Sequence, residues 1–274
     1  MQNRMKQKTR RRSREALSLL LIALPGILYL LINNYGPMLG IFIAFKNFSY
    51  AKGIWGSPWC GLDNFKFLFI TDDAWIITRN TLLYNLAFIV IGTCISLVFA
   101  ILLSELGECL RGKLFQSALL FPHLLSWVVV AYLVYALLNA SNGFINNSVF
   151  PALGIEPFDW YAAPSAWPVI LVLVYLWKNA GYNAIVYMAS IAGIDKEIFE
   201  AAKIDGASKM KQIFAITLPM LRPTITIMTL MSIGRIFYSD FGLFYQTPMD
   251  SGTLFKVTQT IDTYVYRGLM EQGD

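Results

Sequence analysis

The sequence predicts an all-α integral membrane protein. Three observations carry this: a composition too apolar for a water-soluble core, five apolar runs of spanning length, and two loops of opposite character, 139–166 without Lys or Arg and 192–218 with four lysines. Of 274 residues, 56% are hydrophobic and 14% charged, and the mean hydropathy is +0.53. Soluble domains carry about 25% charged and about 45–50% apolar residues.

A spanning helix needs about 20 mostly apolar residues to cross a hydrocarbon core about 30 Å thick. The runs that qualify are 17–38, 81–104, 114–138, 167–191 and 219–241. The first follows a basic stretch, residues 1–16, holding Arg4, Lys6, Lys8, Arg10, Arg11, Arg12 and Arg14. This position explains the net charge of +5 better than nucleic-acid binding does, because basic residues beside a span hold that end in the cytoplasm. No small-residue cleavage site follows and further spans do, so 17–38 reads as a retained helix and not as a secretory signal. The N-terminus is therefore placed inside.

Alternation then puts 46–80, rich in Trp, Phe and Gly, outside, and the short linker 105–113 inside. Residues 139–166 include Glu156 and Asp159 but no Lys or Arg, as an external loop should, whereas 192–218 holds Lys196, Lys203, Lys209 and Lys211, as an internal loop should. The tail after Phe241 lies outside. Pro25, Pro122 and Pro223 fall within runs, where neighbouring helices can satisfy the freed backbone groups. Trp127, Tyr132, Tyr135, Trp167 and Tyr238 read mostly as residues of the interfacial aromatic belts. On this topology Cys60, Cys94 and Cys109 occupy three different compartments, which excludes a disulfide framework and a zinc cluster. The single histidine, His123, reads as a packed or polar-gating residue before a metal ligand.

The internal loop carries more organisation than a connector needs. Asp195 can cap a short helix that places Ile198, Phe199 and Ala202 on one face. Asp205-Gly206 ends it, glycine tolerating a left-handed stop. Ser208 can cap a second helix, and Pro219 opens the next span. Small residues Ala201 and Ala202, flanked by Glu200 and Lys203, suit a helix bedded into a groove of another protein. An amphipathic helix lying on the membrane is the alternative.

At this point the sequence resembles a known family. Glu200-Ala201-Ala202, then Gly206, Ile216 and Leu218-Pro219, reproduce at every spacing the signature of permease subunits of ATP-binding-cassette importers. Residues 56–65, 121–127, 177–181 and 238–245 resemble the oligosaccharide branch, the maltose-type permeases. The resemblance implies a type I importer transmembrane domain over 17–274, in a bacterial cytoplasmic membrane, with 192–218 as the coupling loop. Glu200, Ala201, Ala202, Asp205, Gly206 and Ala207 would meet a separate ATPase subunit. It also implies a second permease (a distinct homologous chain), an ATPase dimer and an extracytoplasmic sugar-binding protein. The chain holds no Gly-rich phosphate loop of the P-loop type, so it is expected to bind no cofactor, with ATP-Mg on the partner ATPase. Members of that branch continue into a sixth span, and the chain is expected to be a fragment lacking it.

Ionisable residues within spans mark a pathway or a pair. Lys178, Asn179, Tyr182 and Asn183 share one arc of span four, and with Arg235 they form the candidate substrate path; packing against the partner permease is the alternative. Lys178 lies about 16 Å below the outer end of its span and Asp240 at the outer surface, so a direct bridge between them requires a helix to unwind. An ion-coupled secondary sugar carrier using Lys178 and Arg235 would explain the buried charges but not the loop. A membrane enzyme lacks any candidate catalytic set.

Overall fold

The computed structural model describes residues 19–107 and 109–272; the basic stretch 1–16 lies outside the described residues. Two compact units divide at Asp72. The first contains α1 (Leu19–Phe45) and the segment that follows it. That segment folds around Lys46, whose ammonium donates to the carbonyls of Ile54 at 2.8 Å and Trp55 at 3.3 Å. The Trp59 ring lies over the same charge, 5.0 Å from its centroid. Asn64 ties the turn down by donating to the carbonyls of Ala44 and Lys46.

The second unit is built of helices and their connections, with long helices α2 (Asp73–Leu106), α3 (Leu110–Leu124), α4 (Trp127–Leu138) and α5 (Trp167–Ala192). They are followed by α6 (Lys196–Ile204), α7 (Lys209–Ile233) and α8 (Ile261–Arg267). Among the described residues, four helices are long and apolar enough to cross a membrane, five if the pair α3 and α4 counts as one span. The core lies between α2 and α5. Phe88 and Tyr175 stack there at 3.7 Å between ring centroids, and Tyr84, Trp167, Leu171, Leu243 and Phe244 close around them. At the other end Ala100 and Ala184, both fully buried, let the two backbones approach beside Tyr187.

The structure departs from the sequence reading at several boundaries. The run 114–138 is not one helix: α3 and α4 meet at 97°. Leu125 and Ser126 are extended, and the Ser126 hydroxyl accepts from the Val129 N–H to start a new helix. Span two begins at Asp73 instead of residue 81, because the polar first turns find partners: Asn80 donates to the carbonyls of Lys256 and Gln259. Span five begins at Lys209, so Pro219 lies inside a continuous helix. A wide π-type turn at Ile213–Thr217 precedes it, and Leu218 and Pro219 open the α-helical stretch that runs on to Ile233. The same helix ends at Ile233 rather than at 241. Trp167 is not an interfacial residue; it is fully buried, with its indole N–H on the Trp160 carbonyl at 2.8 Å.

Two segments predicted as plain loops are knotted by single side chains. Between α4 and α5, the buried Asn146 donates to the carbonyls of Asn139, Ala140 and Phe158 and accepts from the Phe158 N–H. After α7, Asp262 accepts from the Ser239 N–H and hydroxyl at 2.6 Å each, and the Ile261 N–H donates to Thr81 of α2. Buried Arg267 pairs with Asp250 at 2.6 Å and lies on the Phe255 ring.

Removing the Asn146 carboxamide deletes its bonds to the Ala140 and Phe158 carbonyls and to the Phe158 N–H, at about 0.5–1.5 kcal/mol each. Asn146→Ala should therefore open the connection between α4 and α5. Limited proteolysis in detergent should show faster cleavage between residues 139 and 166, with the rest of the chain as resistant as before.

Candidate functional site

The elbow between α3 and α4 sets the geometry of the site. A helix leaves its last four carbonyls without intrahelical partners, and within a membrane water does not supply them. Here Lys178, from the middle of α5, supplies them. Its ammonium donates to the carbonyls of Pro122 at 3.2 Å, His123 at 3.0 Å and Leu125. These three bonds use all three of its protons, and the positive charge sits at the negative end of the α3 dipole.

Trp127, the first residue of α4, carries the connection onward. Lys178 lies over its ring, 5.1 Å from the centroid, and its indole N–H donates to Asp240 at 2.9 Å. Asp240 also accepts from the Gly242 N–H at 3.1 Å. Lys178 and Asp240 thus form no direct salt bridge, yet they are linked through one indole. The sequence argument allowed a link only if a helix unwound; α7 does end at Ile233, before Asp240 is reached. Gly242 is required by this arrangement, since a Cβ there would lie 2.2 Å from the Trp127 ring.

Asp240 also faces a polar cavity of about 240 Å³ enclosed by α2, α5 and the end of α7. Asn179, Asn183 and Arg235 line it, with Tyr238 beside the Arg235 guanidinium at 4.8 Å. The predicted stripe therefore splits. Asn179 and Asn183 face the cavity, whereas Lys178 turns to the elbow and Tyr182 stacks on His123 at 4.3 Å, neither of them lining the cavity. Sequence reasoning missed Asn85, Thr93 and Ser96 of α2, which line the opposite wall, and the role of Trp127. A spacing signal was present in both helices: Tyr175, Asn179, Asn183 and Tyr187 recur every four residues, as do Asn85, Ile89 and Thr93.

The loop residues lie elsewhere, on a hairpin. The Asp195 carboxylate accepts from the Glu197 N–H at 3.0 Å to start α6. At its other end Gly206 has φ of +74°, its N–H bonds the Lys203 carbonyl at 3.0 Å, and the Ala207 N–H bonds the Ala202 carbonyl at 2.9 Å. This pair of bonds is a Schellman stop. Ser208 then caps α7 by accepting from the Lys211 N–H. No residue of α6 is buried; Glu200, Ala201, Asp205 and Gly206 are exposed, Ala202 and Ala207 half-buried.

Residues 79–239 match the family described as binding-protein-dependent transport system inner membrane component. The chain belongs to this family. The permease is 33% identical over 255 residues to the polygalacturonan/rhamnogalacturonan transport system permease protein YteP of Bacillus subtilis, covering 93% of this chain and 78% of that protein. It is 32% identical over 260 residues to the protein LplB of the same organism, with 93% and 79% covered. Among solved structures, it superposes with a TM-score of 0.84 and 29% identity on a bacterial ABC transporter involved in the import of the acidic polysaccharide alginate. That match covers 96% of this chain and 87% of that one. The chain is thus a multi-pass membrane subunit of a transport system and not an enzyme.

The elbow generates a clear expectation. Lys178→Met keeps the stem but strips the His123 and Leu125 carbonyls of their donor, leaving Pro122 only the Leu125 N–H, and each unpaired carbonyl is worth about 1–3 kcal/mol. The variant should lower the thermal unfolding temperature of the purified permease and its level in the membrane. Gly242→Val, which displaces Trp127, should do the same. Normal stability with reduced transport in Lys178→Met would instead assign the lysine to the pathway.

Proposed function

We propose that this permease imports oligosaccharides through alternating access, driven by a separate ATPase dimer that engages the 194–219 hairpin. The observation that carries the reading is the hairpin itself. A nine-residue helix with nothing of its own buried against the rest of the chain gains little stability by itself. It is nonetheless stopped by two backbone bonds and capped at both ends. Ile204 is 86% exposed and Ile198 41%, apolar side chains suited to burial in a cleft of another subunit.

In this reading Ala201 and Ala202 permit close backbone approach, Glu200 lies at the rim, and Asp205, Gly206 and Ala207 form the docked turn. ATP and its magnesium belong to the ATPase; the permease binds neither. A second, homologous permease would face the open side of the cavity, and an extracytoplasmic binding protein would deliver the sugar. The N-terminus lies in the cytoplasm. Support for a saccharide comes from relatives named for polygalacturonan, rhamnogalacturonan and alginate, and from a cavity wall of amides, hydroxyls and aromatic rings. An ion-coupled carrier built on Lys178 fits less well, since that ammonium is committed to three carbonyls.

The test is made in the hairpin. Gly206 has open space around it, so a side chain there meets no neighbour within the permease. It does force an unfavourable backbone, costing roughly 1 kcal/mol or more. Gly206→Val should leave the permease inserted while abolishing ATPase attachment or the coupling of hydrolysis to uptake. Glu200→Ala should act mildly, because an exposed charge is screened. Membrane level, ATPase co-purification and sugar uptake distinguish these, and normal uptake by Gly206→Val would refute the coupling role.

A further inference from the structure

The polar cavity holds two charged side chains, and only one of them is compensated. Asp240 takes the indole N–H of Trp127 on one oxygen and the Gly242 N–H on the other, with the Lys178 ammonium on the far side of the same indole. Arg235 stands differently. The salt bridges of the described residues join Lys66 to Asp63, Lys209 to Glu105 and Arg267 to Asp250, and Arg235 takes part in none of them. Its side chain is exposed into the cavity, and its guanidinium rests on the Tyr238 ring.

A guanidinium at membrane depth is costly unless it meets a partner or lines a water-filled path. Its planar fork of donors matches a carboxylate in bidentate geometry, which neutral hydroxyls do not reproduce. Stacking on Tyr238 holds that fork in one plane before any ligand arrives. Around it, Asn183 has no side-chain partner among the described residues, and Asn179 commits its amide N–H to the Tyr175 carbonyl while its oxygen stays available. These amides offer donors and acceptors for hydroxyls next to the cationic group.

We propose that the cavity selects anionic saccharides, those carrying carboxylate groups, and that Arg235 is the residue that pairs with the carboxylate. The proposal rests on the saccharide reading given above and names the class within it. Arg235 is then a specificity-determining residue: it favours uronic-acid oligosaccharides and gives no advantage to neutral ones.

The test uses the complete complex of both permeases and the ATPase in nanodiscs, without the binding protein, so that the permease cavity alone is read. The probes are a galacturonate trisaccharide and the same trisaccharide after reduction of its carboxyl groups. The wild-type complex should bind the acidic probe at least about tenfold more tightly, as one good charge-assisted pair would give, and the preference should shrink with added salt. Arg235→Gln should remove the preference by weakening the acidic probe alone, and Arg235→Lys, which keeps the charge but not the fork, should retain only part of it. Equal binding of the two probes by wild type overturns the proposal, as does equal weakening of both by Arg235→Gln. Should Arg235→Gln fail to assemble, wild type and Arg235→Lys still decide it. Uptake by the full importer separates the two layers. Neutral oligosaccharides carried as well as acidic ones overturn only the charge selection, whereas transport of no saccharide overturns the saccharide reading with it.

Discussion

The arrangement depends on one constraint: a backbone broken inside a membrane must find donors for the carbonyls it exposes. The α3–α4 elbow breaks at Leu125 and Ser126, and the nearest water-independent donor is the ammonium of Lys178. Once that charge is placed, other positions follow. Trp127 lies against it, Asp240 accepts from Trp127, and α7 ends before Asp240 is reached. A bare carboxylate or a bare lysine at this depth would cost several kcal/mol. Linked across an indole, each supports the other without a direct contact.

Much of this fold was legible in the sequence, because membrane spans and helix caps are local signals. The apolar runs, Asp195, Ser208 and the Asp205-Gly206 stop are all decided by residues within a few positions of one another. The elbow was less legible. Pro122 marks a disturbance, but a bend of 97° rests on a lysine 53 residues beyond Leu125 in the chain. The knots of Asn146 and Asp262 were hidden for a related reason. An Asn or Asp in a loop is ordinary by composition, and only the fold shows whether its carboxamide or carboxylate is buried.

The candidate site divides along the same line. The hairpin was readable from spacing, since its residues act as a contiguous block. The cavity was half readable: Asn179, Asn183 and Arg235 were identified, while Lys178 and Tyr182 share their arc but turn away from it. The arc that includes Lys178 and Tyr182 is wider than the face this cavity takes from α5. The four-residue ladder on α5 is narrower, and it coincides with the lined wall.

Helix α2 is 34 residues long, or about 51 Å at 1.5 Å per residue, well beyond a hydrocarbon core of about 30 Å. Its two ends are latched. Near its N-terminal end, Asn80, Thr81 and Tyr84 hold the segment leading into α8; near the other, Glu105 pairs with Lys209 at the foot of the hairpin. An uninterrupted helix of this length behaves as a stiff rod. A tilt of about 10° would carry one end about 9 Å relative to the other. A displacement at the hairpin end need not pass residue by residue through the core, because such a rod would carry it to the segment at its N-terminal end as leverage.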